Sequence, residues 1–111
     1  MSDKKRKVKI ADFTTIKHNP RVKHGLSNND YCIASAIFTL SHNPDSPFQG
    51  WYFGKIETLG KKFDLGRTTS YRSIDKLLEK QLIQRDPTTG FLRTTKLWWD
   101  DFESLKLVKQ V

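Results

Sequence analysis

One cysteine in 111 residues, Cys32, leaves no partner for an internal disulfide. It lies in an apolar run, which suits a small core residue in a reducing cytosol. No stretch approaches the run of about eighteen apolar residues that a membrane-spanning helix needs. The first residues are polar and basic with no apolar stretch behind them, so the pattern of a secretory signal is missing. Acidic residues are in deficit: twelve Asp and Glu stand against twenty Lys and Arg, a formal charge of +8. Catalytic groupings are missing too. There is no paired-carboxylate site, no Cys–His or Ser–His arrangement, and no phosphate-cradling glycine loop. The three histidines are isolated; His18 and His24 stand six apart with no cysteine or carboxylate cluster beside them, which argues against a metal. These absences predict a binding protein of the cytoplasm, without enzyme activity, cofactor or membrane.

What is present is a single-domain length rich in aromatics: seven Phe, three Tyr and three Trp. The positive charge is unevenly placed. Residues 1–25 hold eight Lys and Arg against two Asp, and residues 55–96 hold ten against five acids. Residues 26–54 hold no Lys or Arg at all. Such a distribution suits a polyanionic partner.

Residues 1–9, MSDKKRKVK, bury almost nothing and read as a disordered basic arm ahead of a domain over 10–111. Lys4-Lys5-Arg6-Lys7-Val8 resembles a nuclear address, but a solvated tail is the simpler reading; on a DNA-binding protein such an arm adds phosphate contacts or reaches a minor groove. Phe13, Ile16 and Leu26 are expected to anchor the next segment, with a turn at Asn19-Pro20. Ser27 is a helix cap and Asp30 an acid suited to a helix start. Tyr31 to Leu40 are apolar around most of a helix, which predicts the central buried helix. Residues 41–50 read as a loop and Trp51-Tyr52-Phe53 as a short strand.

Ile56, Leu59 and Phe63 then fall on one helical face. Asp64-Leu65-Gly66 breaks the pattern, with Gly66 suited to a left-handed helix end and Leu65 able to tuck under the turn. In the next run Ser70, Ile74 and Leu77 lie together, and Arg72 and Lys76 lie almost opposite. Helix, turn and a second helix with a small, polar, basic outer face is a helix-turn-helix plan. Ile83 to Asp86, the turn Pro87-Thr88-Thr89-Gly90 and Phe91 to Leu97 read as a hairpin. In a final helix, Trp98, Phe102 and Leu105 would share a face. That face either closes the core or serves a homodimer contact or a link to a further domain.

Residues 56–85, IETLGKKFDLGRTTSYRSIDKLLEKQLIQR, resemble the helix-turn-helix core of bacterial winged-helix DNA-binding domains. The resemblance lies in Leu59, Gly66-Arg67-Thr68-Thr69, Tyr71-Arg72, Ile74, Leu77 and Leu82-Ile83. The family usually has Ala where Gly60 stands and Gly where Gln81 stands. It implies an α+β winged helix: three main helices, a small antiparallel sheet of three strands with one wing, and a C-terminal helix. The helix 67–82 would enter the major groove of double-stranded DNA, with the hairpin 83–97 alongside.

The DNA-binding residues then expected are Arg67, Thr68, Thr69, Tyr71, Arg72 and Lys76 on the recognition helix. Lys55, Lys61 and Lys62 would meet backbone phosphates, and Arg85, Arg93 and Lys96 would line the wing. Arg72 would make a two-pronged contact to guanine. The order Gly25-Leu26-Ser27, apolar helix, Pro/Asp loop, aromatic strand and helix-turn-helix is similar to the N-terminal domains of plasmid and phage replication initiators. That likeness implies DNA replication initiation, a nucleoid-associated place in a bacterial cytoplasm, and replication-machinery proteins as further partners. A small transcriptional regulator is the alternative. A winged helix used only for protein contacts is a third class, which an exposed apolar face would favour over a basic one.

Overall fold

The structure is a computed structural model and describes residues 14–41 and 50–103. The basic arm, Phe13, most of the loop after the central helix, Leu105 and the apolar end at Leu107-Val108 lie outside the described residues. The fold is α+β: five helices and a two-stranded antiparallel sheet. In chain order these are α1 (His18–Lys23), α2 (Asn28–Ser41), α3 (Ile56–Lys62), α4 (Arg67–Glu79), β1 (Ile83–Arg85), β2 (Leu92–Thr94) and α5 (Lys96–Trp98). The last runs into a π-helical turn, Trp99–Glu103.

The central helix is α2, as its composition predicts. Ile33, Ala34, Ala36 and Ile37 are all buried. Its start is a capping box: the Asp30 N–H donates to Ser27 Oγ (3.1 Å), and the Ser27 N–H donates to Asp30 Oδ2 (2.9 Å). The Asp30 side chain does more than cap. It is buried, its Oδ1 accepts from Ser73 Oγ on α4 at 2.7 Å, and its Oδ2 lies 2.9 Å from Lys76 Nζ. Burial pushes the Asp30 carboxyl up, but hydrogen bonds from Ser73, the Ser27 backbone, Lys76 and the Ser27 hydroxyl outweigh it, and the carboxyl is held below its usual range.

Pro20 does not make a turn. It is the third residue of α1 and is buried there. A proline in the first turn removes an N–H that has no helical partner, so the helix tolerates it. Three helices end alike. After α1, α3 and α4 the residue in the left-handed region is Gly25 (φ 69°), Asp64 (φ 57°) and Gln81 (φ 62°). The next N–H then reaches back to close the end: Leu26 to Arg21 O, Leu65 to Gly60 O, Leu82 to Leu77 O. Gly66, expected to take that conformation, is instead the extended cap that opens α4, with φ −71° and ψ 169°. Register explains the shift: Leu65 must point inward one residue after the left-handed position, which leaves that position to Asp64.

Gln81 carries a Cβ in a conformation that costs an L-residue roughly 1–2 kcal/mol. Gln81→Gly is therefore expected to stabilise the fold by about 1 kcal/mol and raise Tm by about 4–8 °C. Thermal melts followed by circular dichroism check this; an unchanged or lower Tm would show that the Gln81 side chain offsets the strain. Gly60 is the opposite case. A Cβ there would come within 1.8 Å of Ser70 Oγ, so glycine is what lets α3 and α4 cross closely.

The hairpin pairs Ile83 with Thr94, Gln84 with Arg93 and Arg85 with Leu92. Its turn is held by Asp86, whose carboxylate accepts from both the N–H and the hydroxyl of Thr89 (2.8 and 2.6 Å), with Gly90 at φ 78°. The expected third strand, 51–53, shrinks to one bridge: Tyr52 and Leu92 exchange both backbone bonds, at 2.6 and 3.0 Å. The return strand stops at Thr94 and not at Leu97, because Lys96 already opens α5. Trp98 and Phe102, fully buried, stack at 4.0 Å between ring centroids, with Tyr31 edge-on to each at 5.5 Å. The final helix thus closes the core. The segment around α1 clasps it: Asp101 accepts from His24 Nε2 (2.6 Å) and Lys23 Nζ (3.3 Å), and the Lys17 ammonium donates to the Phe102 carbonyl.

Candidate nucleic-acid interface

α4 packs one stripe, Ser70, Ser73, Ile74 and Leu77, against α2 and α3 and turns the opposite stripe to solvent. Arg67, Thr68, Tyr71, Arg72 and Asp75 line a shallow concavity on that outer side. Four of the five belong to the residue set expected to touch DNA; the fifth is the carboxylate of Asp75. Thr69 is exposed beside them.

The cations of the expected set divide by what they already hold. Arg67 Nε lies 3.6 Å from Glu57 on α3, and its guanidinium sits 5.5 Å over the Tyr71 ring. Glu57 is held below the usual carboxylate range by its own backbone N–H, with Tyr71 and Arg67 adding to the effect. It lies beside Arg67 as an anion. Lys76 spends its charge on Asp30, and its side chain is only 38% exposed. It sits at the flank of the buried stripe, not opposite it. Arg93 stacks over Trp51 at 4.4 Å. Lys96 is on α5 and not on the wing, 2.7 Å from Asp100, which raises its pKa by hydrogen bond and charge. Lys55, Lys61, Lys62, Arg72 and Arg85 are exposed, and among the described residues none of them enters an ion pair.

Glu57 and Trp51 are the residues that sequence reasoning missed. Trp51 had a signal: the Tyr52–Leu92 bridge puts Trp51 across from Arg93 on the outer side of the sheet, and Phe53 across from Phe91, 6.2 Å between centroids. Reading it required that register. Glu57 had none, since it meets Arg67 across a helix crossing.

The thiol of Cys32 is half-buried, and burial pushes its pKa up, so it is no ready nucleophile. His24 spends Nε2 on Asp101, and His18 Nδ1 accepts from Arg21 Nε. Among the described residues no three His, Cys, Asp or Glu side chains converge as metal ligands, and no helix is long and apolar enough to cross a membrane. No family model, curated protein or solved structure matches the chain.

Proposed function

We propose that this chain is a winged-helix domain that binds double-stranded DNA, with α4 in the major groove and the β1–β2 hairpin as the wing. The observation that carries the reading is the distribution of uncommitted cations. Arg72, Lys55, Lys61, Lys62 and Arg85 all lie on the helix-turn-helix and hairpin, and the central helix α2 has none. Arg72 shares its concavity with the hydroxyl side chains of Thr68 and Tyr71 and the charged Arg67 and Asp75, a mix of donors and acceptors that suits base edges. The lysines suit phosphates. The process served, on the likeness of residues 25–53 to plasmid and phage initiators, is replication initiation.

Arg72→Ala tests the placement of α4. It should cost about 1–3 kcal/mol on the preferred duplex and much less on random duplex, so the specificity ratio shrinks. The measurement is affinity of wild type and variant for both duplexes at one salt concentration. Equal weakening on both would make Arg72 a phosphate contact and move α4 out of the groove.

A further inference from the structure

We propose that Asp75 is a specificity-determining residue of α4, accepting a hydrogen bond from the N4 amine of a cytosine in the major groove. This rests on the DNA-binding reading above. Asp75 is exposed, lines the same concavity as Thr68 and Arg72, and enters no ion pair among the described residues. Residues 68, 72 and 75 follow one another at helical spacing on a single stripe. Glu79, one turn farther on, lies outside that concavity.

A carboxylate on a face aimed at a polyanion weakens binding to every duplex alike. The contact that repays it in a major groove is an exocyclic amine. Cytosine offers N4–H₂ with no acceptor beside it on its own edge. Adenine sets the N7 acceptor next to its N6 amine, which repels the second carboxylate oxygen. Arg72 and Asp75 are separated by about 4.5 Å along the helix axis, close to the roughly 3.4 Å rise between base pairs. Arg72 on a guanine therefore places Asp75 over the neighbouring pair. The carboxylate sets sequence preference at that pair and lowers affinity elsewhere.

The test is selection of bound duplexes from a random library by wild type, Asp75→Ala and Asp75→Asn, with affinities for one random duplex measured alongside. Wild type should enrich a site with two neighbouring fixed G·C pairs, one whose guanine meets Arg72 and one whose cytosine meets Asp75. Asp75→Ala should lose preference at the latter position alone, weaken the enriched site by about tenfold, and bind random duplex at least as tightly as wild type. Asp75→Asn should move the preference at that position toward adenine, since an amide can pair with both N6 and N7. A cooperative thermal melt near that of wild type certifies that each variant is folded. An enriched site unchanged by both substitutions overturns the assignment. Failure of wild type to enrich any sequence, while it binds duplex, overturns sequence-specific recognition by α4 and Asp75 with it. Failure to bind duplex at all overturns the DNA-binding reading itself.

Discussion

Asp30→Ala is expected to destabilise the fold by about 3–4 kcal/mol, the largest single effect of any substitution considered. The carboxylate joins three things at once. It caps α2, it accepts from the buried hydroxyl of Ser73, and it neutralises Lys76. Its removal leaves Ser73 without that acceptor in a buried position and Lys76 without a counter-charge. Because Lys76 is partly exposed, its ammonium can swing into water, which keeps the loss near the lower end of what breaking a buried pair costs. Lys76→Met should cost much less, since the methionine stem can cover the same apolar surface and Asp30 keeps its other donors. Urea unfolding followed by tryptophan fluorescence measures both, with Trp98 in the core as reporter. The pH dependence has a definite sign. Asp30 is held below its usual range in the folded state. The stability it supplies is therefore full above its unfolded pKa of about 4 and is lost as pH falls through the lower folded value. The gap between wild type and Asp30→Ala should narrow in that acid range. A gap that stayed constant down to acid unfolding would mean that Asp30 acts through packing and not charge.

Replacing Lys55, Lys61 and Lys62 together by alanine is expected to lower the slope of log affinity against log salt by roughly 2–3, at about 0.9 per phosphate contact. At about 0.1 M salt that corresponds to a loss on the order of a hundredfold, shared equally by preferred and random duplexes. The three side chains are exposed and enter no ion pair among the described residues, so the melting temperature should stay near that of wild type. Lys76→Ala is the contrasting case within the same residue set. It should leave the salt slope nearly unchanged and lower the melting temperature, because its charge is already spent on Asp30. Fluorescence anisotropy at four salt concentrations reads both slopes. A triple variant with the wild-type slope would remove α3 from the DNA contact; a large slope change for Lys76→Ala would put Lys76 on the DNA after all.

The sequence by itself determined the elements whose signals are local. The run from Tyr31 to Leu40 is apolar around most of its circumference, so Tyr31, Ile33, Ala34, Ala36 and Ile37 are buried and only the stripe of Cys32, Ser35 and Thr39 and the end at Phe38 and Leu40 stay half-exposed. The spacing of Ile56 and Leu59, and of Ser70, Ile74 and Leu77, orients α3 and α4. Asp86 to Gly90 makes its own turn from its own side chains. The outward placement of Arg72 also follows from periodicity alone, since it lies opposite Ile74. Tertiary structure decided whatever depends on a neighbour distant in the chain. Helical angle could not separate Lys76 from Arg72; the Asp30 carboxylate, 46 residues earlier in the sequence, did so. The left-handed positions fell to Asp64 and Gln81, because packing of Leu65 and Leu82 sets where each helix must turn, and that requirement overrides the preference for glycine. Residues 51–53 have the aromatic character of a strand, yet only Tyr52 finds a ladder partner, since a strand exists only where another backbone presents its groups in register. Asp75 joined the outer concavity for a similar reason: a charge's sign is written in the sequence, but the groups it shares a surface with are set by how α4 lies across α2 and α3.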